Sequence, residues 1–491
     1  MFLPVILEAE AKTIFYATSG VWNAVIQLGI IAALMLFANM LRRQIPFVRR
    51  SLMPVSVIAG FIMLAIKIVL DKGFGIKDLF NIELLDTIVY HCIALGFIAM
   101  SLRVTNARET EGETAVGARS GALIVGTYLV QGLTGLAVTI GLALTLKPDL
   151  FKAAGLLLPM GYGQGPGQAN NIGMTYETLG FAGGRSFGLA IAAAGYIVAC
   201  TVGVAVLNFW RRKHKLDTSK NITGKVDELS VEYFQEKNEI PVSDSIDKLS
   251  VQIGFVLLVY LVTYLVTKGL TSALDKWAPG LASLLNSMLW GFNFIIGAAI
   301  AMLTKTLLVA AEKRGVMKRR YQNNYLLNRL SGFFFDLMII AGIACIDPED
   351  LTGLWIPFAL MAVLGGVTTW LYLRWISRRL YKGYYYEGLI SMYGMMTGTI
   401  GSGILLLREI DPEFNTPAAN NLVLGSSYGI LFGAPVLILV TTAAKSDTLC
   451  YIVAGIAAAY LALLTAFILL VKPKKGKKKP AETPEATETA E

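Results

Sequence analysis

The stretch Leu156–Asn171, LLLPMGYGQGPGQANN, decides how this chain is read. It begins as an apolar helix, breaks at Gly161, Gly163, Gly165, Pro166 and Gly167, and ends on the amides of Gln168, Asn170 and Asn171. In water such a break is an ordinary loop. In hydrocarbon, each unpaired N–H or C=O costs on the order of several kcal/mol unless protein, water or ligand meets it. The rest of the chain supplies that hydrocarbon setting.

Of 491 residues, 55% are hydrophobic and 16% charged, with a mean hydropathy of +0.59. Soluble domains carry about 25% charged residues. The apolar residues also come in runs that match a bilayer-spanning helix of about 20 residues. The composition therefore predicts an all-α polytopic membrane protein. The net charge of +9 comes from Lys and Arg in short loops between spans, which is the pattern of cytoplasmic loops and not of a nucleic-acid-binding face. Cys92, Cys200, Cys345 and Cys450 lie in or beside apolar runs without CxxC spacing, so packing is their expected role. Met1–Leu7 is too short for a signal-peptide core, and the first span is expected to insert as its own uncleaved signal.

Full crossings are expected near 22–41, 52–70, 84–101, 121–146, 187–209, 250–267, 281–304, 325–346, 351–374, 420–443 and 448–471, eleven in all. Two further apolar segments, 151–172 and 387–407, are rich in glycine. Arg42, Arg43, Arg49 and Arg50 follow the first span, which puts that loop inside and the N-terminus outside. Arg103, Arg108 and Arg119 mark loop 102–120 as inside, the accompanying glutamates counting little. The cluster Arg211–Lys215 falls inside only if 151–172 dips into the membrane and returns. By the same count, Lys313–Arg320 and Arg374–Lys382 lie inside and Asp347–Asp350 outside. Segment 387–407 is then a second re-entrant hairpin, entering from the cytoplasm, and Lys472–Lys479 is inside.

Each half thus reads as five spans plus one hairpin. Five is odd, so the halves are inverted repeats: 1–210 and 250–445, joined by a cytoplasmic loop 211–249. An additional span within 446–471 and a disordered cytoplasmic tail 472–491 follow. The tail lysines suit anionic lipid. The sequon Asn221-Ile222-Thr223 lies on the cytoplasmic side and is read as accidental. A shift of 233 pairs Gly155 with Gly388, Gly161 with Gly394, Gly165 with Gly398 and Phe181 with Phe414, in weaker support of the duplication. Gly-interrupted segments at matching places in inverted halves point to the central site of a secondary transporter.

The candidate site residues follow from these breaks. The first offers Gly161, Tyr162, Gly163, Gln164, Gly165, Gln168 and Asn170; the second, Tyr393–Gly403, offers Gly394, Thr397, Gly398, Thr399 and Ser402. Glycines let backbone carbonyls face a small cation, and helix N-termini at the breaks suit a carboxylate. Close helix packing through small residues is the competing explanation. Asp336, near the middle of its span, reads either as a sodium or proton ligand or as a buried partner of Arg329 or an amide. His91 reads as a titrating group or a neutral core histidine, and Lys67 and Arg329 as snorkelling side chains. Arg408 reads as a partner of a substrate carboxylate or as half of a hairpin-end salt bridge. No nucleotide-binding loop is present, so uphill transport would draw on an ion gradient.

These residues resemble the bacterial glutamate:sodium symporters over roughly 20–445, most closely at Gly161-Tyr162-Gly163-Gln164-Gly165 and Tyr393–Gly403. The resemblance implies sodium-coupled uptake of glutamate across the cell membrane, a homodimer, and elevator-like movement of a hairpin domain. Sodium would be held at Gln164, Thr397, Thr399 and Asp336. The family's first hairpin typically reads Gly-His-Gly-Thr-Gly where this chain has Tyr162 and Gln164, and its second commonly has a proline near Gly401. The long loop and the final span are additions. The alternatives are another small amino acid or dicarboxylate coupled to protons, or a passive channel; with only two histidines, an enzyme is not expected.

Overall fold

The computed structural model describes residues 20–75, 80–104, 111–214, 247–277, 282, 286, 289–291, 293–317, 319–411 and 416–470. Met1–Leu7, Arg108, Glu109, the sequon with most of loop 211–249, Lys318, Phe414 and the tail 472–491 lie outside them. The described residues form helices and connecting turns, in an all-α polytopic arrangement. In chain order the helices are α1 (Gly20–Gln44), α2 (Pro46–Arg50), α3 (Val55–Phe74), α4 (Ile82–Ser101) and α5 (Glu111–Thr145). A 3-10 turn (Lys152–Leu156) leads into α6 (Leu157–Tyr162), α7 (Pro166–Thr178) and α8 (Gly184–His214). The second half holds α9 (Lys248–Trp277), α10 (Asn293–Lys313), α11 (Asn324–Ala344), α12 (Trp355–Leu380), α13 (Tyr385–Thr397), α14 (Ile400–Arg408), α15 (Ala418–Ala443) and α16 (Asp447–Leu470).

Among the described residues, nine helices are long and apolar enough to cross a membrane, or ten if α15, bent by 46° between Ser426 and Tyr428, counts as one span. The sequence expectation was eleven. The helix that falls short is α3, which runs on past its apolar stretch to include Asp71 and Lys72 as well as Lys67. Helix formation does not stop where apolar residues do. For the same reason α5 begins at Glu111, inside the expected loop 102–120, and α7 continues to Thr178, beyond the expected hairpin edge at 172.

Lipid tails offer no hydrophobic drive between helices, so close contact depends on small residues and polar pairs. These sort the helices into two groups. In the first, α11 packs on α3 and α4, α10 on α4 and α9, and α1 on α3. Gly96 of α4 admits the Phe335 ring of α11, and Ser331 Oγ donates to the Gly96 carbonyl at 2.9 Å. Both α4 and α11 are capped by an asparagine: the side chains of Asn81 and Asn323 accept from the N–H groups of Leu84 and Leu326. In the second group, α5 is the central post, against which α12, α15 and α16 pack. At Gly135 of α5 a Cβ would lie 1.9 Å from the Gly155 carbonyl oxygen, so backbone rests directly on backbone there.

Contacts between chain-distant residues also define two ends. At one, Asp86 pairs with Arg185 at 2.5 Å, Lys72 with Glu349 at 3.5 Å, and Lys152 with Asp447. Lys67 donates to the carbonyls of Ala344 and Ile346 there, capping α11 where snorkelling was expected. At the other end Arg103 donates to Asn328 Oδ1 at 3.0 Å, and Arg119 to the Ile468 carbonyl. Arg42, Lys213, Arg374, Arg378 and Arg408, near the last turns of helices that run toward this end, make it arginine-rich.

Candidate functional site

Both glycine-rich breaks stand on α8, approached from opposite ends. Along the first, Thr139 donates to the Lys152 carbonyl, Gly155 abuts Gly135, and Gly163 lies against Tyr128, so the chain descends beside α5. It then turns at Gly165, whose φ of 90° and ψ of −176° favour glycine. It climbs back with Ala169 against Gly188 and Gly173 against Gly184 and Arg185. Along the second, Tyr386 meets Trp210 low on α8, and Leu406 fills the space at Gly203. Gly394 faces Gly403 across this helical hairpin, and Thr399 caps α14 by accepting from the Ser402 N–H.

The two tips meet at Gly195. A Cβ there would lie 2.4 Å from the Thr397 carbonyl oxygen of the second tip and 2.9 Å from Tyr162 Cδ1 of the first. One residue on, the Tyr196 hydroxyl and Thr399 Cγ2 are the nearest neighbours of a Cβ built on Gly165, at 3.9 and 4.0 Å. Each tip is also tied across to the other half's long helix. Tyr162 donates its hydroxyl to the Ala362 carbonyl of α12 at 2.6 Å. Gln131 of α5 donates to the Met396 carbonyl at 2.8 Å and to Thr369 Oγ1 of α12 at 2.9 Å.

Beside the tips lies a cavity of 790 Å³, at the seam between the two helix groups. The first group lines it with Arg42, Ser56, Phe97, Asn328, Arg329 and Asp336; the second with Tyr128, Gly163, Gln164, Gly398, Thr399, Gly401, Arg408 and Ser426. Among the described residues its charged lining is three arginines and one aspartate. Arg329 lies 5.1 Å from the centre of the Tyr325 ring, and Asp336 has no basic partner among the described residues. Several buried polar atoms near the tips also lack a hydrogen-bond partner: Gln131 Oε1, the Tyr196 hydroxyl and Ser402 Oγ. Such atoms are the usual places for water or ligand.

The expected site residues divide accordingly. Gly163, Gln164, Gly398, Thr399 and Asp336 share the cavity wall. Gly161, Tyr162 and Gly394 serve close packing or a structural hydrogen bond, and Thr397 Oγ1 bonds its own helix at the Tyr393 carbonyl. Gln168 and Asn170 are buried on α7 and outside the cavity lining; both polar atoms of Gln168 and Oδ1 of Asn170 lack partners. Gly165 and Ser402 stand at the tips without lining the cavity. Of the ambiguous residues, Arg329 and Arg408 line the cavity, whereas His91 lies on the surface of the chain with Nδ1 2.6 Å from the Tyr260 hydroxyl, so the core placement is corrected. All four cysteines are buried and unpaired. Gln131, Tyr196, Ser56 and Arg42 went unremarked as site residues in the sequence; the only available signal was a polar side chain inside or closing an apolar run. No family model matches the chain, and no curated protein matches it.

Proposed function

We propose that this chain is a sodium-coupled secondary transporter that imports glutamate or a related small carboxylate across the cell membrane. The observation that carries the reading is the meeting of two broken-helix tips at Gly195, beside a cavity lined by Arg42, Arg329, Arg408 and Asp336. Arginine at the cavity wall suits an anionic substrate, and the start of α14 at Thr399 adds positive potential. Asp336, Gln164 and the tip carbonyls are oxygen donors of the kind a hard monovalent cation takes. Each half gives three helices to the first group and two helices plus a hairpin to the second, which supports the inverted repeat with re-entrant hairpins. The arginine-rich end is then cytoplasmic, the N-terminus outside and the C-terminus inside. The seam between the groups suits elevator-like alternating access. The homodimer rests on the resemblance to the glutamate:sodium symporters.

Uptake of labelled glutamate into proteoliposomes under an inward sodium gradient tests this. We expect accumulation above the external concentration, abolished when choline replaces sodium and reduced more than tenfold in Asp336→Asn. Equilibration without accumulation would return the channel reading. Accumulation driven by a proton gradient alone would favour the proton-coupled alternative, for which Asp336 is the titrating candidate.

A further inference from the structure

A second cavity, of 750 Å³, lies at the arginine-rich end between α8, α12 and the start of α13, and shares no lining residue with the first. Its aromatic wall is built on Trp210, whose ring centre lies 4.8 Å from that of Tyr386 and 6.2 Å from that of Trp370. Val202, Ala205 and Val206, at helical spacing on α8, continue the wall toward mid-membrane. Lys213, Arg374 and Arg378 complete the lining near the ends of their helices, and among the described residues no carboxylate joins them. The Lys213 ammonium stands 5.7 Å from the Phe209 ring centre and the Arg378 guanidinium 5.9 Å from that of Tyr385. Arg374 and Arg378 also line an adjoining hollow of 390 Å³ with Trp375 and Arg379.

Three cations above an apolar helix face, with tryptophan and tyrosine between, match an amphiphile whose head is anionic. A soluble anion would leave the valine wall uncovered, and a zwitterionic lipid would bring a cation to a cationic site. We propose that this pocket binds an anionic phospholipid, its phosphate held by Lys213, Arg374 and Arg378 and one acyl chain laid along Val202–Val206. The inference does not depend on which solute is carried. Trp370 meets Tyr393 edge-on at 5.3 Å, so the occupied pocket braces α13, the helix that carries the second tip.

The test is thermal unfolding of the full chain in phosphatidylcholine nanodiscs doped with phosphatidylglycerol. A ligand of the native state raises the transition temperature, so phosphatidylglycerol should raise it saturably. Lys213→Gln/Arg374→Gln/Arg378→Gln should need roughly tenfold more of the lipid for the same shift. Val206→Trp, which fills the acyl wall and leaves every charge, should do likewise. The charge-conserving Lys213→Arg/Arg374→Lys and the remote Lys313→Gln/Arg314→Gln should respond as the unaltered chain does. The proposal is overturned if the remote variant loses the response as fully as the triple variant, if Val206→Trp keeps it, or if glycerophosphate without acyl chains reproduces it.

Discussion

Gly195 bears more of the site than any ligand candidate, because both tips touch it where a methyl group would stand. Gly195→Ala is expected to cost about 1–3 kcal/mol of stability through overpacking. Uptake should fall more than tenfold because the tips are pushed apart. Gly254→Ala is the contrast: nothing lies within 4 Å of a Cβ there, and helix propensity alone should stabilise α9 by about 0.5–1 kcal/mol. Thermal unfolding of the two variants, with uptake measured in parallel, checks the pair. A linear sequence hides this difference, since both are single glycines in apolar helices. Gln131 was hidden for a related reason. A polar side chain in a span announces the cost of burying it, whereas its partners, Met396 and Thr369, are set by helix crossings more than two hundred residues away in the chain.

At the scale of elements, apolar runs were legible because hydrocarbon thickness imposes a length, and the breaks were legible because glycine and proline interrupt helices. Element ends were not, since α3 and α5 extend through charged residues that hydropathy reads as loop. Helix α16, expected as a mere addition, proves to be tied into the second group. Arg119 of α5 is 7% exposed and donates from Nε and Nη2 to the Ile468 carbonyl, at 2.9 and 2.6 Å. That carbonyl belongs to the negative end of the α16 dipole. Truncation before Asp447 removes the acceptor together with the packing of α16 on α5, with an expected loss of transition temperature. Arg119→Leu in the truncated chain should recover part of it. Transition temperatures of the full chain, the truncation and the double change would show this; equal values for the two truncated forms would mean that Arg119 finds another partner.

At the scale of the whole molecule, the pattern of basic loops anticipated which helix ends gather together, because charge placement and chain direction are coupled in every crossing. The proposed orientation is open to direct measurement. The native cysteines are all buried, so single cysteines at Glu349 and Arg319 report against a low background. In sealed, right-side-out vesicles an impermeant thiol reagent should label Glu349→Cys and spare Arg319→Cys until the membrane is opened. The cavity lining reaches from the tips to the arginine-rich end, whereas the opposite end is bound across the seam by Asp86 with Arg185 and by Asn171, which donates to the Gly291 carbonyl. On the proposed cycle, Asp86 and Arg185 part whenever the substrate path changes sides. Asp86→Asn should therefore shift the resting population, tenfold for each 1.4 kcal/mol of lost attraction. Thiol labelling of Ser56→Cys in the cavity should slow in proportion. A pair of side chains that touches no cargo would thus set the side on which the empty carrier waits.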